Sequence, residues 1–566
     1  MKKSFLYIIV AACCLSSFVS CKGMLDEESY GKPTSGDLLS DETNMVMLVG
    51  QAYAEVKWLH DHWGYWGINS LAADEALCPT RNPGNDWADD GYWRGFNDHT
   101  WTSKDLSFEN VWNTSSSGAV LCNKILKQIE GQEQYVDPEV YSRYKAELEV
   151  LRAYYFYTLF DSFGKVPYTE SYDTVASVAD LLEVPEVWSK LVLSLEDAAK
   201  KLPHANMPSK AANYGRASKG MAYALLSRLY LNAESYGVTP EDCQKYGVKG
   251  INTVQDFYSK CVIACDSVIN SKVYYIEPDF FTNFKVYNEN SEENIFVIVE
   301  NGNGQFDYQD FAGKMANKLR ITMLTLNYMH KDIWGMLEKP WNGFCARPSF
   351  LARYEYGVDR RGPCDSILGT KTDFDAEPWG WFLGPVWNAE GTDTLVMEDK
   401  GNLPACMTSS VRALEDATHN DGARLLKYQV EKNSTLNKYC ENDFVLIRYA
   451  EVLYNKAEAI LRGGEGELAD IVNSTDFQLI RTRVGVQPYT VGSLTLDELL
   501  DERGREFAWE CVRRRDLIRF NKFNDPNYVD FLSPEGLGEY RKWFPIPYKQ
   551  IEVSGGKWQQ WEGYAD

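Results

Sequence analysis

The sequence predicts a mainly α-helical protein, a scaffold of tetratricopeptide-like helix pairs carrying long irregular loop insertions, with little β structure. Three observations carry this reading. Apolar residues recur at spacings of three and four in several separate segments. Two long stretches, 58–112 and about 274–440, are rich in aromatics but show neither the helical nor the strand period. A single short run, Asn294 to Glu300, is strand-like.

The helical segments come first. Tyr144, Leu148, Leu151, Tyr155, Leu159 and Phe163 form one continuous stripe, ended by Gly164. Val187, Leu191, Leu195, Ala198 and Leu202 make a second, which stops before Pro203. Arg216 to Ala233 is dense in Ala and Leu, and Tyr258 to Asn270 continues the theme with Cys261 and Cys265 on one face, read as buried thiols. Phe444, Ile447, Ala450, Leu453, Ala457 and Ile460 predict another helix, closed by Gly463 and Gly464. Thr495 with Glu498 has the spacing of a capping box opening a helix through Phe507.

Residues 1–20 have the form of an export signal: Lys2 and Lys3, an apolar run from Phe5 to Leu15, then Cys21 in the position of an acylated lipoprotein cysteine. Residues 21–44 are polar, with Pro, Gly, Ser and acid, and are expected to act as a surface tether. Residues 45–566 are read as a single domain. Its helical scaffold is placed mainly at 45–57, 113–273 and 441–524, and its ligand-binding loops mainly at 58–112 and 274–440.

The formal charge is −23, and more negative still without Lys2 and Lys3. That excess argues against nucleic acid and disfavours a polyanionic ligand. Thirteen cysteines contain no CxxC pair, and a chain this long can bury an adequate core without disulfides. No cofactor is expected. His60-Asp61-His62 lacks a third metal ligand at recognisable spacing, and the acidic loops offer oxygen ligands of the kind calcium takes without a spacing that supports a site.

Trp58 to Trp101 holds six of the 17 tryptophans, interleaved with Asp, Asn, Arg and His. Flat aromatic faces beside short polar groups suit a sugar ring, whose C–H face stacks and whose hydroxyls need planar partners. A second aromatic set in the middle region comprises Tyr308, Phe311, Tyr328, Trp334, Trp341, Phe344, Tyr354, Tyr356, Trp379, Trp381 and Trp387.

Six blocks carry a family resemblance: AELEVLRAYYFYTLFDSFGKVPY, GRASKGMAYALLSRLYLNA, NDFVLIRYAEVLYNKAEAILRGG, LIRTRVGV, ERGREFAWECVRRRDLIRF and WFPIPYKQI. In this order they resemble the SusD/RagB family over nearly the whole mature chain. The match departs at Cys511, where the family usually has Gly. The resemblance implies a SusD-like fold and a surface-exposed outer-membrane lipoprotein that binds oligo- or polysaccharide without cleaving it. It also implies that the protein sits on a SusC-like TonB-dependent transporter. Carried onto this chain, it marks Trp87 and Trp341 as stacking platforms, with Trp93 and Trp334 next, and Arg81, Asp86 and Asn97 as hydroxyl partners. The acidic balance points to a neutral glycan. Two other readings compete: a tetratricopeptide-like protein-interaction scaffold without sugar binding, and a glycoside hydrolase using acids such as Asp86, Asp89 and Asp90.

Overall fold

The computed structural model describes residues 42–172, 178–203, 214–300, 320–336, 338–364, 380–432 and 440–564. The export signal, Cys21 and most of the tether lie outside the described residues, as do Tyr308, Phe311 and Trp379.

Helices dominate. In chain order, leaving out several shorter ones, they include α1 (Glu42–Leu59), α2 (Tyr65–Ala72), α3 (Tyr92–Asn97), α4 (Leu106–Ile129), α5 (Pro138–Phe163), α6 (Val184–Lys201), α7 (Lys219–Leu231), α8 (Val254–Ile269), α9 (Tyr449–Leu461), α10 (Leu496–Phe507) and α11 (Arg513–Arg519). From α4 to α9 each packs on the next, building a wall of paired helices, and α1 lies against α4 and α5. The first predicted stripe lies within α5, capped by Asp137 at its start and by Gly164, at φ +72°, at its end. It is buried on more than one face, because α4 and α6 pack on either side of it. Cys261 and Cys265 are buried in α8, as thiols.

Three expectations are corrected. The stripe from Phe444 to Ile460 is not one helix: Phe444–Arg448 is strand β2, paired antiparallel with β1 (Asn294–Ile298), and helix begins only at Tyr449. Every residue of both strands is buried, so neither shows alternation, and a short apolar run of this kind has no period to distinguish strand from helix. The capping box is half formed. Thr495 accepts from the Glu498 amide, but the Glu498 carboxylate is drawn to Arg505 and Tyr489 instead. The span 58–112 is not loop throughout, since it contains α2, α3 and the start of α4. Helix α2 is buried at all eight positions, which erases the one-sided stripe by which a surface helix is recognised.

The arginine-rich block ERGREFAWECVRRRDLIRF is interior. Arg448 of β2 reaches Glu293, Glu506 and Glu510, Arg361 reaches Asp359, Glu502 and Glu506, and Arg513 clasps Asp74 at 2.7 and 2.8 Å. Arg515 and Arg514 bind Asp161 of α5. These ion pairs lock α10 and α11 to the sheet and to the helical wall. Cys511 stands at φ +64°, a left-handed conformation that favours glycine, which gives a reason for the usual Gly there.

Burial and arginine partners move carboxyls in opposite directions. Burial drives Glu75 up to about 8 and Asp443 up to about 7. Burial also raises Glu293 and Asp516, but their arginine partners outweigh it and hold both at about 2. The raised pair binds protons more tightly folded than unfolded, so ionising it costs stability as pH rises from the ordinary carboxyl range through about 7 to 8. The lowered pair stabilises the fold above the ordinary carboxyl range, and that contribution is lost as pH falls towards about 2. The urea midpoint is therefore expected to peak at about pH 4, within the ordinary carboxyl range, and to fall on either side. An equal or higher midpoint near about pH 8.5 would contradict this assignment.

Candidate functional site

Two loops meet at the edge of the main core. The first, residues 81–91, is pinched shut by reciprocal backbone bonds between Arg81 and Asp86, at 2.8 and 2.9 Å. It runs through Asn85, Trp87, Asp89 and Asp90, all with positive φ, a conformation that non-glycine residues rarely adopt. Such a concentration of strained backbone persists only where the surroundings over-determine it, and it clusters at binding sites. The second loop, Trp341 to Phe344, is held by backbone bonds to Met323, Leu324 and Leu326 and has Asn342 at φ +52°.

Trp87 and Trp341 meet where the loops touch. The Trp87 indole N–H donates to the Trp341 carbonyl at 2.9 Å, and the ring centroids lie 6.2 Å apart with planes tilted by 47°. Both are half-buried. Trp63 and Tyr92, also half-buried, extend the aromatic surface, 5.0 Å from each other.

Trp93 lies beneath this surface. It is 1% exposed, packs edge-on against Trp63 and Trp87 at 4.5 and 6.0 Å, and gives its N–H to Asp89. It props the platform rather than facing solvent. Trp334 is interior as well, stacked on His330 at 4.5 Å in a second small core with Phe382 and Met397.

The three polar candidates divide the same way. Arg81 is fully buried and spends its guanidinium on the carbonyls of Gly343, Thr418 and Asp421. Asn97 is fully buried, accepting from Cys78 N and donating to Leu71 and Ala76 carbonyls. Asn97 has both amide hydrogens engaged, and the Arg81 Nε, which makes no hydrogen bond, is itself buried, so both position loops. Asp86 remains at the surface, 2.8 Å from Lys400 Nζ and 3.8 Å from His419 Nε2. The structure thus brings Trp87, Trp341 and Asp86 together at a surface and withdraws Trp93, Trp334, Arg81 and Asn97 from it.

Sequence reasoning missed Lys400, for which no local signal exists, and left Tyr328 among many aromatics. Tyr328 donates its hydroxyl to Asp399, next to Lys400. His60, Asp61 and His62 do not converge on a vacant point: His60 meets Tyr154 at 2.6 Å and His62 stacks on Trp93. Among the described residues no group of three or more His, Cys, Asp or Glu is placed to hold a metal ion. No helix among them is long and apolar enough to cross a membrane.

Gly343 offers a direct handle on the platform. A Cβ there would stand 2.4 Å from Trp87 Cε2 and Cζ2, so alanine must displace the Trp87 ring. Gly343→Ala is expected to cost about 1–3 kcal/mol in urea unfolding, the usual range for overpacking, and to abolish whatever binding the platform supports. Binding at the unmodified affinity would show that Trp87 does not have to sit where it does.

Comparison with known proteins now adds to the geometry. Residues 300–564 match the family described as "SusD family", and residues 38–231 match the one described as "Starch-binding associating with outer membrane". The "Starch-binding protein SusD" of Bacteroides thetaiotaomicron is 25% identical over 464 residues, 78% of this chain and 76% of the relative. Among solved structures, the surface glycan-binding protein A of the same organism, in complex with laminarihexaose, superposes with a TM-score of 0.68. The match is at 22% identity, covering 92% of this chain and 99% of that one. A SusD superfamily protein from Parabacteroides distasonis gives 0.65 at 18% identity, covering 92% and 99%. Sequence blocks, helical wall and matched families agree, and the chain belongs to the SusD/RagB family.

Proposed function

We propose that this protein is a cell-surface glycan-binding lipoprotein, anchored through Cys21 to the outer membrane, that captures oligo- or polysaccharide and delivers it uncleaved to a SusC-like TonB-dependent transporter. The observation that carries the reading is the Trp87 and Trp341 pair: two half-exposed indoles, fixed to each other, at a surface built from strained loops on a rigid helical frame. The curated relative is named for starch binding, and the outer-membrane wording of one matched family supports the location.

Sugar hydroxyls are already well solvated, so each new hydrogen bond contributes little net and stacking supplies much of the affinity. Asp86 is the polar partner at hand, and the acidic chain favours a neutral glycan. A hydrolase needs two carboxylates free to act across one bond. Here Asp86 is paired with Lys400 and Asp89 with the Trp93 indole, so both already serve the loop.

Isothermal titration of the soluble form beginning after Cys21, against neutral and acidic polysaccharides, tests the proposal. Heat with a neutral glycan, without release of reducing ends, supports it. Absence of binding across the panel, or release of reducing ends, refutes it. Co-purification of the transporter with the full-length protein from outer membranes tests delivery.

A further inference from the structure

Two chain segments carry the platform tryptophans, and a third touches both. Val396–Met397 pairs antiparallel with Leu403–Pro404, and the turn Glu398–Lys400 forms the tip of this hairpin. Met397 roots the hairpin, fully buried in the small core with Trp334 and Phe382. At the tip, consecutive residues bind different segments. Asp399 accepts from the Tyr328 hydroxyl, and Lys400 donates to Asp86 at 2.8 Å.

Each contact leads by a short path to one tryptophan. Asp86 is the immediate neighbour of Trp87, in a loop closed by its two backbone bonds to Arg81. Tyr328 lies two residues beyond Leu326, whose carbonyl binds the amide of Asn342, the neighbour of Trp341. The Lys400 side chain is 13% exposed, and it lies over Gly84, where a Cβ would come within 2.8 Å of Nζ.

We propose that the Glu398–Lys400 tip is a clamp that sets the position of Trp87 relative to Trp341, with Lys400 and Asp399 as positioning residues for glycan recognition. The inference rests on the glycan reading of the platform. It predicts something a neutral ligand would not otherwise show: affinity that depends on salt, because the ion pair is in the protein and is weakened by screening. His419 and Arg81 also lie near Asp86, but both are buried and tied to backbone carbonyls. Lys400 is therefore the group whose removal releases the loop without emptying the interior.

The test is fluorine spectroscopy of the 5-fluorotryptophan-labelled protein, with signals assigned by Trp87→Phe and Trp341→Phe, beside glycan titration at low and high salt. Lys400→Met is expected to shift or broaden both assigned signals with no glycan present. It should also weaken binding by about twofold to fivefold, the range open to a partly exposed ion pair, and abolish the salt dependence. Lys400→Arg should preserve all three properties, and Asp86→Lys combined with Lys400→Glu should restore part of the loss. Unmoved signals in Lys400→Met, or salt dependence that survives it, would overturn the clamp. If the unmodified protein binds no glycan, the proposed function falls, while the fluorine spectra still decide the clamp.

Discussion

Replacing Arg448 with methionine is expected to destabilise the protein by about 3–5 kcal/mol in urea unfolding. Arg448 is 1% exposed and supplies hydrogen bonds to Glu293, Glu506 and Glu510 at 2.5–2.9 Å. Methionine fills much of the same space but leaves three buried carboxylates short of a cation. Arg483 still reaches Glu293 and Glu506, and Lys427 still reaches Glu510, but these bonds are already made beside those of Arg448 and do not replace them. The cost is the desolvation of charges already paid against a partner that is gone, which is why removing one member of a buried pair costs more than the pair contributes. Lys127→Ala supplies the contrast. Its pair with Glu130 is about two-thirds exposed on both sides and should leave the urea midpoint almost unchanged. A loss at Arg448 as small as that at Lys127 would mean that water reaches the buried cluster.

Alanine at Trp87 or at Trp341 is expected to weaken glycan binding roughly thirtyfold or more, the loss of about 2 kcal/mol typical of an aromatic anchor at a binding centre. The two truncations should not add. Trp87 is held by the Trp341 carbonyl and packs against the Trp341 ring, so removing either indole disturbs the other. Trp334→Ala separates stacking from burial. It empties a packed core position and is expected to cost about 3–5 kcal/mol of stability, with binding by the remaining folded protein retained. Titration calorimetry with urea unfolding of each variant reads both quantities. Unchanged binding in both platform variants would place the ligand elsewhere.

The sequence by itself determined the helical wall, because an amphipathic helix writes its buried face into the chain at intervals of three and four, and α5, α6 and α8 could be placed from that record. It also determined the family, since the arginine-rich block and its companions are long enough to be distinctive. It could not separate β2 from α9, because a segment buried on all sides carries no period. Only the tertiary structure decided which aromatics reach the surface. Trp87 and Trp93 stand six residues apart in the same kind of sequence, yet one lies at the surface and the other beneath it. The difference is made by Trp341, Phe344 and His62, which pack on them from other parts of the fold. Arg81 looked like a ligand for hydroxyls for the same reason. Its partners, the carbonyls of Gly343, Thr418 and Asp421, are more than two hundred and fifty residues away. A side chain's burial is set by what folds over it, and no local stretch of sequence contains that.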